Sequence, residues 1–376
     1  MRGPPPDPRF DLARTEFLAG LECFQRARFE AAEQHFLSSL QHLPGRLSTL
    51  INLAATQLRL ERPQDALVTA EAALAVDPEA AEALLHRATA LARLGRANEA
   101  LEAFDHLLLR EPRNALAWSS RGSLLREMQR FDEAALAFRQ ALEHGADPEL
   151  HHYYLAALGA ADTVPPISPP TYVAGLFDSY ADDFDHHLVG TLGYQLPQQL
   201  TQGLRRQVAA GETFASALDL GCGTGLCGPG LRPLARRLTG LDLSDRMLDK
   251  ARALGLYDRL EGCDIAGFLA RTDESFDLLL AADVFIYIGD LAPVFAGAQR
   301  VMRRGLFSFS VETSAGVVDH VLQPSLRYAH SPDYLRRQAL EHGFTVLAME
   351  QVAMRQDQRQ QVEGLCVHLR RAADTA

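Results

Sequence analysis

Apolar and small residues in the first part of the chain follow helical spacing, and the whole pattern returns every 34 residues. Ala32, Ala66, Ala100 and Ala134 are one such series; Gly20, Ala54, Ala88 and Gly122 are a second, and Phe36, Ala70, Phe104 and Phe138 a third. Pro44, Pro78 and Pro112 close the first three periods. This predicts four pairs of antiparallel helices from residue 13 to about 148. Small residues let the two helices of a pair approach, the aromatic fills the space beside them, and proline stops one repeat from running into the next. Leu94 to Ala100 and Gln129 to Ala134 are equivalent turns, each placing an acid where the next helix dipole favours it. Pro148 to Ala160 is expected to cap the array, and residues 1–12 to be a flexible start.

The pattern then changes. Residues 161–170 hold Pro165, Pro166, Pro169 and Pro170 and read as a stiff extended linker. Apolar residues at 173, 176, 177, 180 and 184 follow helical spacing, and a helix near 190–208 follows. Short apolar runs at 214–220, 238–242, 259–263, 276–282 and 305–312 predict strands. Between them, helices are predicted at 228–237, 244–254, 265–271 and 290–302. A helix at 332–342 and strands at 344–351 and 363–370 complete the pattern. Strands alternating with helices predict a doubly wound α/β domain over residues 171–376.

A chain of 376 residues with 47% hydrophobic content has room for two ordinary domains. No run of eighteen apolar residues and no signal-peptide core is present, so a soluble cytoplasmic protein with no membrane partner is expected. The five cysteines lack paired metal-site spacing, so reduced thiols and no metal are expected. The net charge of −11 is shared: residues 1–160 carry 17 basic and 22 acidic side chains, the remainder 20 and 26. That balance argues against nucleic-acid binding, and Arg232, Arg236 and Arg237 read as the solvated side of a helix.

The chemistry centres on Ala217 to Gly225. A buried strand ends in Asp219, followed by glycines at 221, 223 and 225. Glycines there let a backbone turn tightly and approach a ligand at the carboxyl end of a parallel sheet. A second apolar run ends at Asp242, and a weak third strand precedes Asp264. Asp283 ends the run Phe276 to Ala282. This order resembles class I S-adenosylmethionine-dependent methyltransferases, and Asp242 to Leu248 resembles their D-x-S-x-x-M-L pattern. The resemblance implies S-adenosylmethionine as cofactor. It assigns Asp219, Gly221, Cys222 and Gly223 to the methionine end, Asp242, Leu243 and Met247 to the ribose and adenosine, Asp264 and Ile265 to the adenine, and Asp283 to the methyl end. Tyr172 to Asp185 resembles the entry helix of methyltransferases related to ubiquinone and biotin pathway enzymes, which implies that Tyr180 and Phe184 cover the site. Gly223, Gly225 and Gly228 also fit the G-x-G-x-x-G dinucleotide pattern, but Asp264 favours the methyltransferase.

The repeats resemble tetratricopeptide repeats. That implies an all-α superhelix with a groove that docks a protein, a peptide or a second subunit, while the methyltransferase resemblance implies a Rossmann-like class I domain with a seven-stranded sheet whose last strand pair includes a reversed edge strand. Phe17, Leu21, Phe24, Ile51, Leu58, Leu85, Ser119 and Ser123 are expected to face that groove. The full order resembles a bacterial family of predicted methyltransferases fused to such repeats. Asp283-Val284-Phe285-Ile286 lacks the N/D-P-P-Y/F tetrad of amino-group methyltransferases, and the acceptor atom stays open among oxygen, nitrogen, sulfur and carbon. If a base takes part, His330 and Tyr328 are the catalytic candidates, with Arg327 as an anion holder and Glu312 as a further polar group. The rival readings are a repeat scaffold with a catalytically silent cofactor domain and a nicotinamide oxidoreductase.

Overall fold

The structure, a computed structural model, describes residues 8–180, 194–314, 318–357 and 360–372. It divides into two compact units, Met1–His151 and His152–Ala376.

In the first unit the 34-residue period appears as helix pairs: α1 (Pro8–Gln25) and α2 (Phe29–His42), α3 (Leu47–Arg59) and α4 (Pro63–Val76), α5 (Ala81–Arg93) and α6 (Ala97–Arg110), α7 (Ala115–Glu127) and α8 (Phe131–Glu143). All twelve residues of the three repeating series are buried. Gly20 faces the Phe36 ring as Gly122 faces that of Phe138, and a Cβ on Gly122 would stand 2.7 Å from two ring carbons. Gly122→Ala is therefore expected to destabilise the repeats by about 1–3 kcal/mol through overpacking, read as a lower urea midpoint of Trp118 fluorescence. Each turn between paired helices puts one residue in the left-handed region: Ala27, Glu61, Gly95 and Gln129. The residue one position on repeats too, with Arg62, Arg96 and Arg130 each paired to the acid three residues ahead. Of the expected groove residues, Phe17, Leu21 and Phe24 pack against the Phe36 cluster, Leu58 is buried, and Ser119 bonds His151 at 2.9 Å. α9 (Pro148–Ala157) follows.

The second unit is built on one sheet, with α10 (Pro170–Tyr180) and α11 (Leu196–Gln207) leading into it. Its elements are β1 (Phe214–Leu220), α12 (Gly228–Leu231), β2 (Ala235–Asp242), α13 (Asp245–Ala253), β3 (Arg259–Gly262), α14 (Ile265–Arg271), β4 (Leu278–Ala281), α15 (Ala292–Val301) and β5 (Gly305–Thr313). Then come β6 (His320–Leu322), β7 (Tyr328–His330), α16 (Pro332–Glu341), β8 (Phe344–Asp357) and β9 (Gln360–Arg371). The parallel strands run in the order β3-β2-β1-β4-β5, so the chain reverses direction across the sheet between β1 and β4. Apolar residues of β1, β4, β5 and β9 point to both faces, one packing against α14, α15 and α16 and the other against α11 and α12.

Four details correct the sequence reading. β9 is antiparallel but lies inside the sheet, between β5 and β8, so the reversed strand is not at the edge. Residues 235–237, expected in a helix, begin β2, and Arg236 and Arg237 are exposed on that strand. β6 and β7 form a short ribbon at the end of β5 that the pattern did not foresee. Residues 165–168 form a strap rather than a free linker: Ser168 N–H donates to Tyr287 O, and Gly289 and Asp290 N–H both donate to Pro166 O. Buried Tyr153 secures that strap from below, donating to Leu326 O at 2.6 Å while the Ser168 hydroxyl donates to it at 2.7 Å.

Candidate functional site

A cavity of about 250 Å³ opens at the carboxyl ends of β1, β2, β3 and β4, where the strand order reverses. Its wall includes Gly221, Gly223, Asp242, Asp264 and Asp283, one contribution or more from the loop after each strand. Gly221 has φ +69°, and a Cβ there would stand 2.5 Å from Val284, so only glycine lets the first loop meet the loop after β4.

Asp242 organises one end. Its Oδ2 accepts from Gly223 N–H at 2.8 Å and its Oδ1 from Ser244 N–H at 2.9 Å, which ties the glycine loop to the start of α13. Burial pushes its carboxyl above the ordinary value, and these amide donors pull against that. Ser244 caps α13, accepting from Met247 N–H, and donates its hydroxyl to Asp178 of α10 at 2.5 Å. Asp264 caps α14 by accepting from Gly267 N–H at 2.6 Å, and with Ile265 it lines the cavity near Leu243.

The other end is apolar, with Ile167, Val173, Phe177, Ile286, Tyr287 and Ile288 on its wall. Phe177 and Tyr287 meet edge to face at 5.7 Å. Asp283 stands between the two ends. Its φ of +57° is a left-handed conformation that costs a non-glycine residue about 1–2 kcal/mol. It is held there because its N–H donates to Ser310 Oγ at 2.8 Å, its carboxylate accepts from Arg355 at 2.9 Å, and Tyr194 bonds it as well. Arg355 also donates to Glu312, so one guanidinium joins the end of β4 to the end of β5. Both Arg355 and Glu312 are buried, and burial raises the Glu312 carboxyl even beside the guanidinium.

The family model for the methyltransferase domain matches residues 218–309, and the tetratricopeptide repeat model matches residues 51–108 and 88–151. The chain carries tetratricopeptide repeats and a methyltransferase domain. It is 34% identical over 140 residues to methyltransferase-like protein 27 of Homo sapiens, covering 37% of this chain and 54% of that protein. It is 32% identical over 108 residues to nodulation protein S of Bradyrhizobium diazoefficiens, covering 28% of this chain and 50% of that one. It thus spans about half the length of these curated relatives. Among solved structures, magnesium protoporphyrin IX methyltransferase from Synechocystis PCC 6803 aligns with a TM-score of 0.43 at 15% identity, covering 54% of this chain and 99% of that one.

Of the residues singled out in the sequence, Gly221, Gly223, Asp242, Leu243, Asp264, Ile265 and Asp283 line the cavity, together with Arg327. Asp219, Cys222 and Met247 do not. All three are buried behind the wall: Asp219 accepts from Tyr257, Cys222 N–H donates to Leu241 O, and Met247 lies on the buried face of α13. The side chain of Tyr180, and Phe184, lie outside the described residues.

Tyr328 and His330 are corrected as catalytic candidates. Both are fully buried in β7. Tyr328 donates its hydroxyl to Pro165 O at 2.7 Å. His330 Nε2 sits 3.0 Å from both Ile288 O and Gly289 O, an arrangement that requires the proton on Nε2. Burial pushes the ring down to about 4, so it is neutral at physiological pH, and neither residue lines the cavity. They hold the strap and the loop after β4 instead. Sequence reasoning missed Arg355, Tyr194, Tyr257 and Tyr287. Arg355 lies 72 residues from Asp283 along the chain, at an irregularity in the β8–β9 pairing, which no motif marks.

Gly225 and Gly228, two of the three glycines of the dinucleotide pattern, serve the protein's own packing. A Cβ on either would stand 3.1–3.2 Å from the Tyr257 ring or Leu256. Their room is filled by a side chain and is not free for a phosphate.

Proposed function

We propose that the chain transfers the methyl group of S-adenosylmethionine to an acceptor bound at the apolar end of the cavity, with the repeats docking a protein or peptide partner or a second subunit. The observation that carries this is Asp242 bonded to the Gly223 amide, with Asp264 and Asp283 on the same cavity wall. Asp242 offers a carboxylate for ribose hydroxyls, Asp264 and Ile265 suit the adenine edge, and Gly221 and Gly223 let the methionine chain approach the backbone. The cofactor supplies an electrophilic sulfonium methyl.

The protein's task is then to hold an acceptor in line and keep water away, which is worth many orders of magnitude in rate without a base. Ile167, Val173, Phe177 and Tyr287 provide a dry wall for an apolar or aromatic acceptor. The clamp of Arg355 and Tyr194 fixes Asp283 between that wall and the glycine loop. Among the described residues, no helix is long and apolar enough to cross a membrane.

Calorimetric titration of the chain with S-adenosylhomocysteine should show saturable binding at one site per chain. Incubation of the chain and a lysate with methyl-labelled donor should then transfer label to an acceptor. Folded protein that fails to bind the homocysteine product would end this reading; binding without any labelled product would move the repeat scaffold with a silent domain ahead of it.

A further inference from the structure

Tyr257 stands between α13 and β3 and makes no part of any motif. Its ring lies where three glycines leave room, within 3.0–3.2 Å of the position that a Cβ would take on Gly225, Gly228 and Gly240. Its hydroxyl donates to Asp219 Oδ2 at 2.6 Å. Asp219 ends β1 directly beneath the glycine loop and is 1% exposed. We infer that Tyr257 is a positioning residue of the cofactor site, which props the glycine loop from below and fixes the Asp219 carboxylate behind that loop, from where its charge acts through the wall on a cationic ligand.

The inference rests on the methyltransferase reading and adds a proton linkage to it. Burial works against a charge on Asp219, and nearby Asp242 works against it further; together they bring its carboxyl up to about 7. The Tyr257 hydroxyl is the donor that opposes them. Cys222 and Cys227 also face this pocket of charge, and burial holds both thiols well above their ordinary range, so they stay neutral. Tyr257 itself is raised and stays protonated. An ionised Asp219 favours a cationic ligand, so affinity should rise with pH through the Asp219 midpoint. Removing the hydroxyl raises that midpoint.

The test is S-adenosylhomocysteine affinity from pH 6 to 9 for the wild type, Tyr257→Phe, Asp219→Asn and the double variant. Tyr257→Phe keeps the ring and its packing. It should weaken binding about tenfold at pH 7, the loss expected for one hydrogen bond to a charged group, and recover towards the wild type at pH 9. In Asp219→Asn the same phenylalanine change should do little at any pH. Asp242 titrates in all four proteins, so a displaced midpoint reports on Asp219. A Tyr257→Phe curve that coincides with the wild type, or lies below it by a constant factor at every pH, overturns the positioning role while leaving the methyltransferase reading standing. Wild-type protein that binds no S-adenosylhomocysteine at any pH overturns both.

Discussion

Asp242→Ala should reduce S-adenosylhomocysteine affinity at least about a hundredfold, the largest loss expected of any single cofactor-site change. Two separate effects combine. The substitution removes the carboxylate that would face the ribose, and it frees the Gly223 and Ser244 amides that the carboxylate holds at 2.8 and 2.9 Å. Each hydrogen bond to an ionised group is worth about 1.5–3 kcal/mol, so losing the ligand's pair and loosening the loop exceeds 2.7 kcal/mol, about a hundredfold. Asp242→Asn should fall between, because an amide oxygen still accepts from one of the two N–H groups while its NH₂ opposes the other. Calorimetry on the three proteins checks the order. An alanine variant that binds within threefold of the wild type would remove Asp242 from the site and with it the basis for the methyltransferase reading.

The second large effect concerns Arg355. Arg355→Met leaves buried Glu312 and half-buried Asp283 without their common cation, and breaking such a buried pair costs about 3–5 kcal/mol. The loss should depend on pH in a stated direction. Burial already raises the Glu312 carboxyl beside the guanidinium, and without that cation it rises further above its unfolded value, so the folded form binds the extra proton. The stability deficit is then full at pH 8 and shrinks as pH falls through that raised value towards pH 5. Adding Glu312→Gln should restore part of it by removing one of the two stranded charges. Urea unfolding followed by loss of S-adenosylhomocysteine binding reads the second unit. Trp118, the single tryptophan, sits in α7, and its fluorescence midpoint should stay where it is. A deficit equal at pH 5 and pH 8 would show that lost packing, and not stranded charge, is what the arginine prevents.

How much of this was visible in the sequence depends on whether a feature is local. A period of 34 residues places Gly122 on Phe138 because the contact is made within one repeat, and the residues of that contact are buried as the pattern requires. The glycine loop, Asp242 and Asp264 were legible because each ends an apolar run, and a parallel sheet brings strand ends together whatever lies between. Three-residue strands are a different matter. β6 and β7 are too short for any alternation to show, and Tyr328 and His330 were read as open to substrate when the strap buries them. The start of β2 was missed because Ala235-Arg236-Arg237 puts its charged residues outward, which reads equally well as the solvated side of a helix. Arg355 and Tyr257 act through space: one reaches the ends of two strands from a third, and the other fills room that glycines scattered over two elements leave.

The strap has a consequence for how such proteins can be cut and recombined. A catalytic fragment beginning at Thr171, where the proline run ends, would lack Ile167 and Ser168 from the cavity wall, the Pro165 carbonyl that Tyr328 meets, and Tyr153 beneath them. It would bare a buried tyrosine and leave the backbone groups of Tyr287 and Gly289 without their partners. Expression of the second unit by itself therefore needs a start at or before His152. The same holds for gene fusion in evolution: a recombination joint in the prolines would damage the apolar wall of the cavity, so the inheritable piece is about twenty residues longer than its sequence signature suggests.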